Sequence, residues 1–128
     1  MNAIVDTHTF LWMVTDDRRL SDVARRVIED GANEVFLSAA SMWEMVLKAG
    51  AGKLHLQGGP ARFLEREMRR NHISTLSIQA DHILRVTSLP AIHKDPFDRL
   101  LIAQAQVENL PLITSDTEIA RYPVQVIW

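Results

Sequence analysis

Short apolar runs alternate with stretches of helical period along the whole chain. Asn2 to Asp6 reads as a first strand ended by a carboxylate, and Thr7 to Val14 begins a helix. In SDVARRVIED, Ser21 is placed to cap a helix whose apolar residues Val23, Val27 and Ile28 recur at helical spacing, with Gly31 at its end. Glu34 to Ser38 (EVFLS) predicts a second strand. Ala39 to Ala49 predicts the next helix, with Met42, Val46 and Ala49 on one side and Gly50 and Gly52 as its stop. GAGKLHLQGGP follows neither period and predicts a long loop or lid. Pro60 opens PARFLEREMRRN, a position that helices tolerate well. Ile73 to Ile78 predicts a third strand, and Gln79 to Ser88 a helical segment ending before Pro90. Pro96 to Glu108 predicts a strong helix, its apolar content being Leu100, Leu101, Ala103, Ala105 and Val107. Leu112 to Thr114 predicts a fourth strand, Thr117 to Ala120 a helical turn, and Val124 to Ile127 a last strand.

Strands separated by helices require crossover connections, so the pattern predicts an α/β fold with a mostly parallel central sheet covered on both faces. No repeat, low-complexity tract or linker divides the 128 residues, and a single domain spanning 1–128 is expected.

Composition narrows the chemistry. Hydrophobic residues make up 47% and charged residues 23%, ordinary for a globular chain. The absence of cysteine excludes disulfides, thiolate metal sites and cysteine nucleophiles. Neither a signal peptide pattern nor a bilayer-length apolar run is visible, so a cytoplasmic location and no membrane partner are expected. The net charge of −2 means that attraction for a nucleic acid has to come from a local patch.

Four acids stand at strand ends or in early helical turns: Asp6, Glu44, Asp98 and Asp116. In a parallel sheet such points share one edge, the edge at which ligands bind. Each has a simpler role as well. Asp6 and Asp116 are placed to cap, Asp98 to complement a helix dipole, and Glu44 to face solvent. Glu44 is the most telling, because apolar residues flank it in SMWEMV and a buried acid needs a partner. No basic residue stands out as a partner for Asp6, Glu44 or Asp116, while Arg99 adjoins Asp98. Crowded carboxylates either take up protons or share a cation. Oxygen-only ligation favours Mg²⁺ or Mn²⁺, ions suited to phosphodiester hydrolysis.

VDTHTFLW, the acid within SMWEM, DPFDRLLIAQA and LITSD, in this order, resemble the PIN domain and, more narrowly, VapC-type toxins of bacterial toxin–antitoxin pairs. The resemblance runs the length of the chain. It implies a three-layer α/β/α sandwich and a metal-dependent endoribonuclease leaving 5′-phosphate and 3′-hydroxyl ends. Its catalytic and metal-holding acids would be Asp6, Glu44, Asp98 and Asp116, with Mg²⁺ or Mn²⁺ as cofactor. Thr114 matches a hydroxyl residue of the family and is read as holding a carboxylate by a hydrogen bond. Asp95 reads as the N-cap ahead of Pro96. An RNA substrate, a cognate antitoxin and a homodimer are implied partners.

Among the remaining residues, His8 and His93 read as polar surface or supporting groups, and Lys48, Lys94 and Arg99 as candidates for phosphate contact. Arg66, Arg69 and Arg70 read as a solvated basic face. Phe10, Trp12 and Trp43 read first as core, and part of the set, with Met42 and Leu47, as a groove for an antitoxin helix. A catalytically silent PIN-like module that only binds RNA or protein is the alternative. A haloacid-dehalogenase-type phosphatase would need an acid where His8 stands, and a dinucleotide fold would need the glycine fingerprint missing after the first strand.

Overall fold

The computed structural model describes all 128 residues. In chain order the elements are β1 (Asn2–Val5), α1 (Thr7–Val14), α2 (Asp22–Glu29), β2 (Glu34–Ser38), α3 (Ala39–Gly50) and α4 (Pro60–Arg70). There follow β3 (Ile73–Leu76), α5 (Ala80–Arg85), α6 (Pro96–Glu108), β4 (Leu112–Ile113) and β5 (Val126–Ile127). Short 3-10 turns lie at Val86–Ser88 and Ile119–Arg121. The five strands form one sheet in the order β3-β2-β1-β4-β5, and every pairing is parallel.

The pleat explains the layers. Successive side chains of a strand point to opposite faces. Ala3 and Val5 join Phe10, Met13, Met45 and Leu64 in a core under α1 to α4. Ile4 joins Leu101, Ile102, Ile119 and Tyr122 in a second core under α6. Two cores with one sheet between them make the three-layer sandwich expected from the sequence.

Helix ends follow their cap residues. Ser21 Oγ accepts from the Ala24 amide at 3.0 Å, and Ser38 Oγ from the Ala40 amide at 3.0 Å. Asp95 caps α6 through the amides of Phe97 (2.8 Å) and Asp98 (3.1 Å), ahead of Pro96 at the first helical position. Past α3, Gly52 has φ +72°, a conformation that suits glycine.

Some boundaries differ from the expectation. The 79–88 segment divides into α5 and a 3-10 turn. Buried His82 fixes its start, its Nδ1 accepting from the Gln79 amide at 3.0 Å while Nε2 meets Glu108 at 2.8 Å. In α2 the pair turned inward is Ala24 and Ile28, at i and i+4, whereas Val23 is exposed. Asp30 caps α2 in extended backbone, so Gly31 is not needed as a left-handed stop. Leu100 and Val107 of α6 stay partly or largely exposed, and Ile102 and Gln104 are fully buried beside Leu101, Ala103 and Ala105.

From β1 the chain builds outward through β2 to β3, then returns to place β4 on the other side of β1. The carboxyl ends of β1 and β4 therefore flank the point where strand order reverses, the usual crevice of an open parallel sheet.

Candidate active site

Asp6 leaves β1 at this reversal point, and its expected capping role holds. Its Oδ1 caps α1 by accepting from the Thr9 amide at 2.9 Å. Its Oδ2 accepts from the hydroxyl of Thr114, just past β4. Thr114 Oγ1 in turn accepts from the Asp116 amide at 3.0 Å. One buried hydroxyl thus links the first and last of the four acids.

Glu44 is buried, 4% exposed, on the inward side of α3. Its Oε1 accepts from Thr7 Oγ1 at 2.7 Å, and its Oε2 from Lys48 Nζ at 2.6 Å. The expectation that Glu44 lacks a basic partner is therefore wrong: Lys48 stands one helical turn on, at the i,i+4 spacing that pairs side chains on a helix. The Glu44 hydrogen bond holds Lys48 above its ordinary pKa against the opposing effect of burial, with further help from the charges of Glu44, Asp95 and Asp98.

Asp98 and Asp116 meet at His93, which the sequence reading left as a supporting group. His93 Nδ1 accepts from the Asp95 amide at 3.1 Å, so in the neutral ring the proton sits on Nε2. That Nε2 lies 2.8 Å from Asp116 Oδ2 and 3.2 Å from Asp98 Oδ2. Burial opposes the charged imidazolium, but the Asp116 hydrogen bond and the charges of Asp98, Asp116 and Glu118 outweigh it and raise His93 above its ordinary pKa. Burial also acts to raise Asp116. The His93 hydrogen bond and the Glu118 and Ile119 amides prevail and lower it. Asp98 goes the other way. Burial, then the negative charge of Asp95, pushes its carboxyl up to about 7 against the opposing pull of His93, and Asp6 and Glu44 add to the rise.

The loop that carries His93 is itself held. The Tyr122 hydroxyl accepts from the amides of Ile92 (3.2 Å) and His93 (2.7 Å) and donates to the Pro90 carbonyl at 2.8 Å. Arg99 spends its guanidinium on the carbonyls of Pro90, His93 and Val86 and on Tyr122 Oη. It braces this loop and is not free for a phosphate, a correction to its reading from sequence. Arg66 and Arg70 pair with buried Glu67, in keeping with a solvated face. Trp43 is not core: it is 58% exposed and meets Phe97 edge-on at 5.5 Å, whereas Phe10 is fully buried.

The four predicted acids, drawn from β1, α3, α6 and the segment after β4, are near neighbours: Thr114 links Asp6 to Asp116, and the charges of Asp6 and Glu44 act on Asp98. His93 Nε2 and carboxylate oxygens of Asp98 and Asp116 lie within 4.8 Å of one another. The carboxylates of this set fit a hard divalent cation. Asp98 retains its proton to about 7 largely because burial and neighbouring negative charge leave its carboxylate uncompensated. Thr7, Lys48 and His93 are the functional neighbours that sequence reasoning missed or undervalued. The Glu44–Lys48 spacing was the one legible signal among them.

An all-parallel α/β/α domain with acids gathered at its strand-order reversal defines a class, and the sequence matches agree with it. The chain belongs to the PIN domain family, whose sequence profile matches residues 3–125. Ribonuclease VapC22 of Mycobacterium tuberculosis is 28% identical over 130 residues, a match covering 98% of each chain. Two solved structures share the fold. One is VapBC2 from Rickettsia felis bound to a DNA fragment from their promoter, with TM-score 0.72 and 15% identity over 98% of this chain and 97% of that one. The other is DNA-bound VapBC from Salmonella typhimurium, with TM-score 0.70 and 17% identity over 98% and 96%.

Proposed function

We propose that the protein is a metal-dependent endoribonuclease, the toxin of a toxin–antitoxin pair, with Asp6, Glu44, Asp98 and Asp116 as its catalytic and metal-holding residues. The observation that supports the reading is the clustering of Asp98 and Asp116 at His93, with Asp6 and Glu44 near enough for their charges to help push Asp98 up to about 7. The name of the Mycobacterium tuberculosis relative supports RNA as substrate. The VapBC structures support a protein partner.

Mg²⁺ or Mn²⁺, when bound, supplies charge neutralisation at the scissile phosphate and makes a water more acidic. The chain's own residues prepare that step. Thr114 and the Thr9 amide fix the Asp6 carboxylate, and Thr7 fixes Glu44. His93 holds Asp98 and Asp116 side by side. Lys48 places a positive charge at the rim of the acids. Asp95 serves as the helix cap and contributes negative charge to the crevice.

An antitoxin has a place to sit. Met42, Trp43 and Val46 of α3 face Leu64 and Met68 of α4 across an open apolar groove, which suits an amphipathic helix. A homodimer in the cytoplasm completes the proposal. No helix is long and apolar enough to cross a membrane.

The test is cleavage of single-stranded RNA by the purified protein with Mg²⁺ or Mn²⁺, beside Asp98→Asn. The parent should cleave, leaving 5′-phosphate ends, and the variant should fall to background. In parallel, millimolar Mg²⁺ should raise the melting midpoint of the EDTA-treated parent, because a ligand that binds only the native state stabilises it. No cleavage and no shift would favour the silent binding module.

A further inference from the structure

A second cleft opens behind Glu44, between α1, the end of α3 and the loop that follows α3. We propose that it is the subsite for the unpaired nucleotide next to the scissile phosphate, an inference that rests on the ribonuclease reading above.

The cleft adjoins Glu44 through two shared side chains. Thr7 and Lys48 line it, and these two side chains hold the two oxygens of Glu44. Its volume of about 370 Å³ is that of a small-ligand site, room for a nucleotide but not for a duplex. Its charge is opposite to that of the acid crevice. Lys48, Lys53 and Arg19 line it against a single acid, Asp17, which already takes two hydrogen bonds from the Arg19 guanidinium at 2.8 and 3.0 Å. Lys53 is exposed and forms no ion pair. The Lys53 amide donates to the Lys48 carbonyl at 2.9 Å, which folds the loop back and sets both lysines on one wall. A polyanion approaching an acidic crevice on a chain of net charge −2 needs such a wall. Lys48 and Arg19 are paired with Glu44 and Asp17, and Arg99, Arg66 and Arg70 are committed elsewhere, so Lys53 is the unpaired lysine of this lining.

The lining is also aromatic. His8 and Trp12, one turn apart on α1, lie 6.0 Å between ring centroids. Trp12 is backed by Trp128 at 5.9 Å and by the Arg19 guanidinium at 4.8 Å. His8 is the exposed member of the set and offers its ring to the cleft. Rings stack on unpaired bases with little regard to sequence, while lysines hold the phosphates. An exposed lysine and an exposed imidazole thus line one nucleotide-sized cleft, next to the Thr7 and Lys48 side chains that hold Glu44.

The experiment measures binding of a fluorescein-labelled single-stranded RNA to the full chain in EDTA, where cleavage does not intervene. Lys53→Glu and His8→Ala change exposed residues and should leave the melting midpoint in place. Each should weaken binding by about fivefold or more. Lys53→Glu should also lower the slope of log affinity against log salt by about 0.7, the share of one phosphate contact on a single strand. Arg69→Gln, on the basic face of α4, should bind as the parent does. Unchanged affinity in Lys53→Glu and His8→Ala, or an equal loss in Arg69→Gln, overturns the proposal. So does a result in which the two substitutions spare RNA and abolish co-purification of a co-expressed antitoxin, since the cleft is then a protein-docking surface. A parent that binds through this cleft yet never cleaves with Mg²⁺ defeats the ribonuclease reading alone. A parent that cleaves, with variants that bind and cleave as well as it does, defeats the cleft alone.

Discussion

Thr114 shows how much one hydroxyl can organise. It donates to Asp6 and accepts from the Asp116 amide, so two acids from opposite ends of the chain depend on its Oγ1. Thr114→Val keeps the shape and deletes both bonds. It should lower RNA cleavage or metal affinity by roughly 10–100-fold with little loss of fold, as measured by kinetics and calorimetry. Asp98 gives a pH prediction. Its folded value of about 7 lies above its ordinary 3.8, so between those values the native state keeps a proton that the unfolded chain has lost. Stability of the metal-free protein should therefore fall as pH rises from about 4 through 7. His93 acts in the same direction, since its raised pKa adds stability that disappears as the imidazolium deprotonates. Asp116, lowered, contributes above its ordinary value and loses that contribution on acidification. Melting midpoints measured in EDTA should peak on the acid side of neutrality, and Asp98→Asn should flatten the decline above the peak.

At the level of elements, most of the framework was legible because caps and glycines carry it. Ser21, Asp95 with Pro96, and Gly52 mark helix ends by local chemistry, and the structure keeps each of them. What local pattern did not carry is long-range. The division of the 79–88 segment depends on His82 reaching Glu108 across 26 residues. Arg99 looked free for phosphate because nothing near it in sequence reveals the carbonyls it braces. The acids were legible from their places at strand ends and in early helical turns, whereas the placement of His93 depends in part on Tyr122, which binds its amide from 29 residues away. Tyr122→Phe would leave the Ile92 and His93 amides without an acceptor. Amide hydrogen exchange at both should quicken, RNA cleavage should decrease, and stability should drop by about 1–3 kcal/mol, the cost of buried polar groups left unpaired. Unchanged exchange at those amides would separate Tyr122 from the placement of His93.

The whole molecule carries chemically distinct faces. Acids line the reversal point of the sheet, a basic and aromatic cleft adjoins them, and an apolar groove runs between α3 and α4. On α5, Ile83 and Leu84 stand 56% and 66% exposed, a surface suited to a second copy of the chain. Light scattering should give twice the chain mass, and Leu84→Glu should return it to one if α5 carries that contact. The bond between Thr114 and Asp6 spans 108 residues. A ribosome must therefore release nearly the entire polypeptide before the first carboxylate finds its hydroxyl partner. A chain cut short before β4 lacks Thr114 altogether, so the first carboxylate acquires its support only when synthesis is all but over.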